Sequence, residues 1–174
     1  MKKLLIFLVT LTGLAAVPAM AELRVFACEP EWGALARELG GDRVAVYVAT
    51  NALQDPHRIE ARPSLLAQAR RADLVVCTGV ELEAGWLPIV LRQSGNNAVQ
   101  PGKPGYFEAA NYVPKLEVPA RLDRAEGDIH AAGNPHIHTD PRNIARIAAA
   151  LAQRLAEIDP AGARQYQEHQ RDFA

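Results

Sequence analysis

The sequence is sparing in the features that would place it quickly. Aromatic residues make up 6% of the 174 positions and cysteines number two, Cys28 and Cys77. No Cys-x-x-Cys or His-Glu-x-x-His pattern occurs, so neither a zinc finger nor a metalloprotease is indicated. No Gly-x-Ser-x-Gly nucleophile motif is present either. No internal repeat or low-complexity segment is found. Excess positive charge is also missing. The 19 basic and 20 acidic residues nearly balance, which argues against nucleic acid or an anionic membrane surface as partner.

Long apolar runs are scarce as well. One opens the chain, behind Lys2 and Lys3, and is broken by Pro18. It is shorter than the ~20 residues of a spanning helix. Ala19-Met20-Ala21 follows as a small-x-small cleavage pattern. Residues 1–21 are therefore read as a secretory signal, with the mature protein starting near Glu22 in the periplasm and not inserted in the membrane. No cysteine sits at the cleavage point, so a lipid anchor is not expected. Removing the signal takes two lysines and no acid, leaving 17 basic against 20 acidic residues. The remainder has the length of one domain.

What is present alternates between short apolar runs and helical patterns. Strands are expected at residues 23–28, 43–48 and 73–77, from their valine-rich apolar runs. Helices are expected at 31–39, 63–71 and 81–93, the last kinked or restarted by Pro88. This order gives an α/β fold with a parallel sheet flanked by helices. Cys28, residues 50–57 and residues 77–81 fall at the carboxyl ends of the strands, where such folds bind ligands. Residues 96–133 are rich in glycine and proline. Short strands are expected near Ala98-Val99 and at 115–118, then a surface loop at 121–133. Asp140-Pro141 opens a strong helix with Ile144, Ile147, Leu151, Leu155 and Ile158 on one stripe. Asp159-Pro160 ends it, and residues 163–173 form a further helix.

Four of the five histidines fall in the two polar loops: His57, His130, His136 and His138. His169 lies on the last helix and is expected to face solvent. Two histidines share a local setting, in Asp55-Pro56-His57 and Asn134-Pro135-His136. Proline fixes its own φ and restricts the residue before it, which stiffens the loop and pre-positions the imidazole. Preorganised imidazoles suit Zn²⁺ and other borderline divalent ions.

Several segments, in order, resemble a known family. Asp55-Pro56-His57-Arg58-Ile59-Glu60 resembles the first histidine motif of the metal-ion receptors that feed bacterial ABC importers for zinc and manganese. Leu82-Glu83-Ala84-Gly85-Trp86-Leu87-Pro88 resembles the segment after the family's third strand. Gly133-Asn134-Pro135-His136-Ile137-His138-Thr139-Asp140-Pro141 resembles its second histidine motif, and Asp159-Pro160 with Tyr166 resembles the approach to its linking helix. The resemblance implies one lobe of a two-lobed periplasmic protein. Residues 22–158 would form the N-terminal metal-binding lobe, and 159–174 would begin the inter-lobe helix. It implies His57 and His136 as ligands to Zn²⁺ (alternatively Mn²⁺), with Glu60 orienting a histidine from behind. His130 and His138 are possible additional ligands; relatives often carry tryptophan at the latter position. The partners implied are the metal ion and the permease of an ABC importer in the inner membrane. The family completes its site from a second lobe, which this chain does not reach, so a truncated product is expected.

Cys28 and Cys77 end neighbouring strands of a doubly wound sheet. A disulfide is geometrically possible, thiolate ligation is a second option, and two inert buried thiols are the plainest reading. Two rival functions stand beside metal capture. A metal-dependent hydrolase would need an open coordination position and a base, for which Glu60 or Glu81 is the nearest candidate. A single-lobe remnant that folds and binds little is the other.

Overall fold

A computed structural model describes residues 22–119, 121 and 130–174. The expected export signal, 1–21, and most of the expected loop, 122–129, lie outside them. Four strands form one parallel sheet: β1 Leu23–Ala27, β2 Val44–Val48, β3 Leu74–Cys77 and β4 Tyr106–Glu108, in the order β2-β1-β3-β4. Helices α1 Pro30–Gly40, α2 Pro63–Arg71, α3 Leu87–Ser94, α4 Pro141–Ile158 and α5 Ala163–Phe173 surround it. Among the described residues, no helix is long and apolar enough to cross a membrane.

The period-2 geometry of a strand sends alternate side chains to opposite faces. Val25, Ala27, Leu74 and Val76 pack with Trp32, Leu35, Leu39, Ile147, Leu151 and Leu155 under α1 and α4. Phe26, Cys28, Val75 and Cys77 pack with Leu65, Trp86, Leu87 and Val90 under α2 and α3. A sheet buried on both faces explains why β1 and β3 read as continuous apolar runs.

Among the described residues, four α-helices carry a proline in the first turn, where its missing N–H costs nothing. At α4 the Asp140 carboxylate also accepts the Arg142 N–H at 2.9 Å. Pro88 restarts rather than kinks the third helical stretch: residues 80–86 are a turn, and α3 follows. α5 lies against α1 and α4. There Asp159 accepts from Tyr166 Oη at 2.7 Å and from Arg43 Nε at 2.8 Å, tying β2, α4 and α5 together.

Two expectations fail between α3 and α4. Ala98-Val99 lies in a 3-10 turn, Asn97–Val99, because the Asn96 side chain caps it by accepting from the Ala98 N–H at 3.1 Å. Residues 115–118 pair with no strand among the described residues, and Glu117 takes a left-handed φ of 54°; Leu116 instead accepts from the Asn134 N–H at 2.8 Å. The fourth strand is Tyr106–Glu108, only three residues long. Gly105 precedes it, seated against the carbonyls of Asp73 and Ala98, where a Cβ would collide.

His169 is also not solvent-facing. It is partly buried, and its Nδ1 lies 3.0 Å from the Leu39 carbonyl at the end of α1.

Candidate metal centre

The two Pro-His turns are built alike. Asp55 Oδ1 accepts from the His57 N–H at 3.0 Å and lies 2.7 Å from His57 Nδ1. Asn134 Oδ1 accepts from the His136 N–H at 2.9 Å and lies 2.9 Å from His136 Nδ1. In each turn the residue two before the histidine fixes both backbone and ring. An acceptor at Nδ1 favours the proton there and leaves the Nε2 lone pair for a metal. The proline between them limits the chain to the shape in which this bond closes. His57 also holds the Asp55 carboxyl below the usual carboxylate range, mainly through the side-chain hydrogen bond.

Each turn has outside support. Trp86 Nε1 donates to the Pro56 carbonyl at 2.9 Å, and Gly85 packs on the His57 carbonyl, 2.9 Å from where a Cβ would sit. Glu117 accepts from Asn134 Nδ2 at 2.7 Å, so the second histidine is backed by a Glu117–Asn134–His136 chain.

His130 joins His57. Their Nε2 atoms lie 3.1 Å apart, with ring centroids 5.1 Å apart. The His130 segment is fastened at the Ala131 N–H, which donates to Glu81 Oε2 at 2.9 Å. Glu81 reaches it from a run of left-handed residues: Gly79 (φ 82°), Val80 (φ 48°) and Glu81 (φ 66°). A β-branched residue in that region is strained, and such strain persists where surrounding contacts hold it.

His57, His130 and His136 line one cleft of about 380 Å³ with Glu117, Gly133, Asn134 and Pro135. The three imidazoles do not all come within 4.8 Å of one another; His57 and His130 are the tight pair and His136 stands across the cleft. His138 does not line it. Its Nδ1 is turned toward Glu31 Oε1 at 3.4 Å, as expected for a side chain two residues along. Glu60 is exposed and makes no hydrogen bond to either imidazole; Asp55 and Asn134 hold the bracing positions.

At the ends of β1 and β3, Cys28 and Cys77 form a disulfide with Cα atoms 4.9 Å apart. This corrects the reading of two inert thiols: strand adjacency brings the residues together. Beside them lie two buried carboxyls. Glu83 accepts from the Thr78 N–H at 2.7 Å and the Gly79 N–H at 3.1 Å. Glu29 Oε2 accepts from Thr78 Oγ1, which itself accepts from Trp32 Nε1. Burial, with the charge of Glu83 adding to it, pushes the Glu29 carboxyl up to about 10. Glu29 is thus protonated at neutral pH.

The model of the zinc-uptake complex component A periplasmic family, ZnuA, matches residues 25–174. The chain belongs to this family. Metal ABC transporter substrate-binding lipoprotein ScbA of Streptococcus cristatus is 24% identical over 95% of this chain and 54% of its own length. Manganese ABC transporter substrate-binding lipoprotein ScaA of Streptococcus gordonii is 24% identical over 90% of this chain and 51% of its own. Among solved structures, a zinc-bound ZnuA lacking residues 138–173 of its own chain is 27% identical, with TM-score 0.70, over 87% of this chain and 53% of its own. A Mn-bound periplasmic metal-binding protein from Candidatus Liberibacter asiaticus is 20% identical, with TM-score 0.70, over 87% and 52%. The chain therefore spans about half the length of the curated relatives it matches. The parallel α/β fold read from the sequence is the ZnuA-like fold.

Sequence reasoning gave no role to Asp55, Asn134 or Glu117, and considered Glu81 only as the base of a rival hydrolase. The first two carry a readable signal, since Asx two residues before a histidine can accept its N–H. Glu117 and Glu81 act across long separations and leave no local trace.

Proposed function

We propose that this chain captures a divalent metal ion outside the cytoplasm, as the substrate of an ABC importer, and presents it to the membrane permease. The observation that carries this reading is the repeated Asx-Pro-His turn, which frees one Nε2 lone pair from each of two loops bordering the same cleft. His57 and His136 are the primary ligands and His130 is the third. An imidazole-dominated set favours Zn²⁺ over Mn²⁺. The names of the relatives, which specify metal, manganese or zinc binding, support a divalent cargo. The reading of residues 1–21 as a secretory signal supports a role in the periplasm.

Capture is favoured over hydrolysis. Glu60 points to solvent, and Glu81 is engaged with the Ala131 N–H, so neither is set to activate a metal-bound water. Calorimetric titration with Zn²⁺ and Mn²⁺ tests the reading. One equivalent of metal should bind, and His57→Ala and His136→Ala should each abolish most of it while far-UV circular dichroism stays unchanged. Binding as tight as the parent in both variants overturns it.

A further inference from the structure

The disulfide and its carboxylate neighbours have no part in the cleft, yet they form the tightest group of metal-type donors among the described residues. Cys28 Sγ, Cys77 Sγ and a Glu83 oxygen all lie within 4.8 Å of one another. Both cysteines are 0% exposed and Glu83 is 3% exposed. We propose that reduction of the Cys28–Cys77 bond creates a second metal site, formed by two thiolates and the Glu83 carboxylate, for a thiophilic divalent ion, Zn²⁺ or Cd²⁺.

Three observations support it. The donors come from three points of a rigid frame: the ends of two adjacent parallel strands and the turn that follows β3. At Zn–S distances of ~2.3 Å, tetrahedral ligand sulfurs sit roughly 3.7 Å apart, a modest separation from a broken disulfide on the same strands. Next to Glu83, Glu29 Oε1 is buried and has no hydrogen-bond partner. Two adjoining buried carboxyls with one orphan oxygen are an environment that a divalent cation satisfies and an apolar core does not.

The chemistry balances. A dithiol reductant delivers two electrons and two protons to the disulfide and becomes a disulfide itself, leaving Cys28 and Cys77 as thiols. The metal then displaces both thiol protons to solvent as the thiolates bind it. Entry is by opening of the turn over Glu83, whose residues Glu81, Ala84 and Gly85 are exposed. The inference does not depend on the histidine cleft.

The test is Cd²⁺ titration of the reduced and the oxidised protein in a His57→Ala background, following the thiolate-to-cadmium charge-transfer band. Reduced protein should show the band saturating at one Cd²⁺ per chain, and oxidised protein should show none. Glu83→Gln should weaken Cd²⁺ binding tenfold or more, at roughly the scale of losing a metal-supporting group. Cys77→Ser should remove most of the band, and it serves if Glu83→Gln does not fold. Reduced protein with two titratable thiols and no band overturns the proposal. So does a disulfide that resists dithiol in the folded chain, or a Glu83→Gln variant that binds like the parent.

Discussion

The Nε2 atoms of His57 and His130 face each other at 3.1 Å, although the two residues are 73 positions apart. Two imidazoles bound to one tetrahedral zinc, with Zn–N of ~2.0–2.1 Å, hold their nitrogens roughly 3.3 Å apart. The pair is therefore spaced for a shared ion with almost no rearrangement. The Glu81 carboxylate keeps it so, by fixing the backbone beside His130.

His130→Ala should weaken Zn²⁺ binding about tenfold or more, whereas His138→Ala should leave it within a factor of two or so, since removing a group that supports the metal costs roughly 10–100-fold. Competition against a chromophoric chelator reads both. Equal losses in the two variants would remove His130 from the ligand set.

Asp55→Ala and Asn134→Ala should each lower zinc affinity about 10–100-fold without changing the ligands themselves. Asn134→Asp keeps the acceptor and adds negative charge behind His136, so it should bind at least as well as the parent. If both alanine variants retain full affinity, the Asx acceptors are merely turn formers.

Glu29→Gln should stabilise the protein increasingly as pH rises. The Glu29 carboxyl sits at about 10 in the folded chain against an ordinary value of 4.5. Between those values the folded state keeps a proton that the unfolded state has lost, so stability from this group falls with rising pH. The amide copies the protonated acid and has no such dependence. The gap between variant and parent in urea unfolding should widen by at most about 1.4 kcal/mol per pH unit. Parallel profiles from pH 5.5 to 8.5 would contradict the raised Glu29 carboxyl.

Asp159→Asn should cost about 1–3 kcal/mol, the scale of a charge-assisted hydrogen bond lost from a partly buried site. Burial works to raise this carboxyl, but hydrogen bonds from Tyr166 and Arg43 outweigh it and hold it low. The stabilisation is present above the unfolded carboxylate value and disappears as pH falls through the lower folded one. The deficit of the variant should therefore shrink in acid. A deficit that is flat with pH would point to packing alone.

The frame of the fold was legible in the sequence, and so were the two Pro-His turns that border one cleft, because both rest on local patterns. β1 and β3 announce themselves as apolar runs since helices cover both faces, and α4 through its Asp140-Pro141 start. β4 was not legible because Gly105 and Asp73 define it through backbone proximity, and three residues give no period. The role assigned to Glu60 fell to Asp55 for a similar reason. Chain neighbours on both sides of a histidine can reach it, and only turn geometry selects between them. His169 was misread because a helix end, at Leu39, offers an unsatisfied carbonyl that no sequence period reveals.

Each Asx-Pro-His turn aligns its own imidazole within three consecutive residues. The site is thus assembled from self-contained cassettes, and the stretches joining them need only bring the cassettes to the same cleft. Insertions, deletions or wholesale replacement between Glu117 and His130 should leave the aim of His136 intact. The same tripeptide, moved to a loop of another scaffold, should bring its ring tautomer with it.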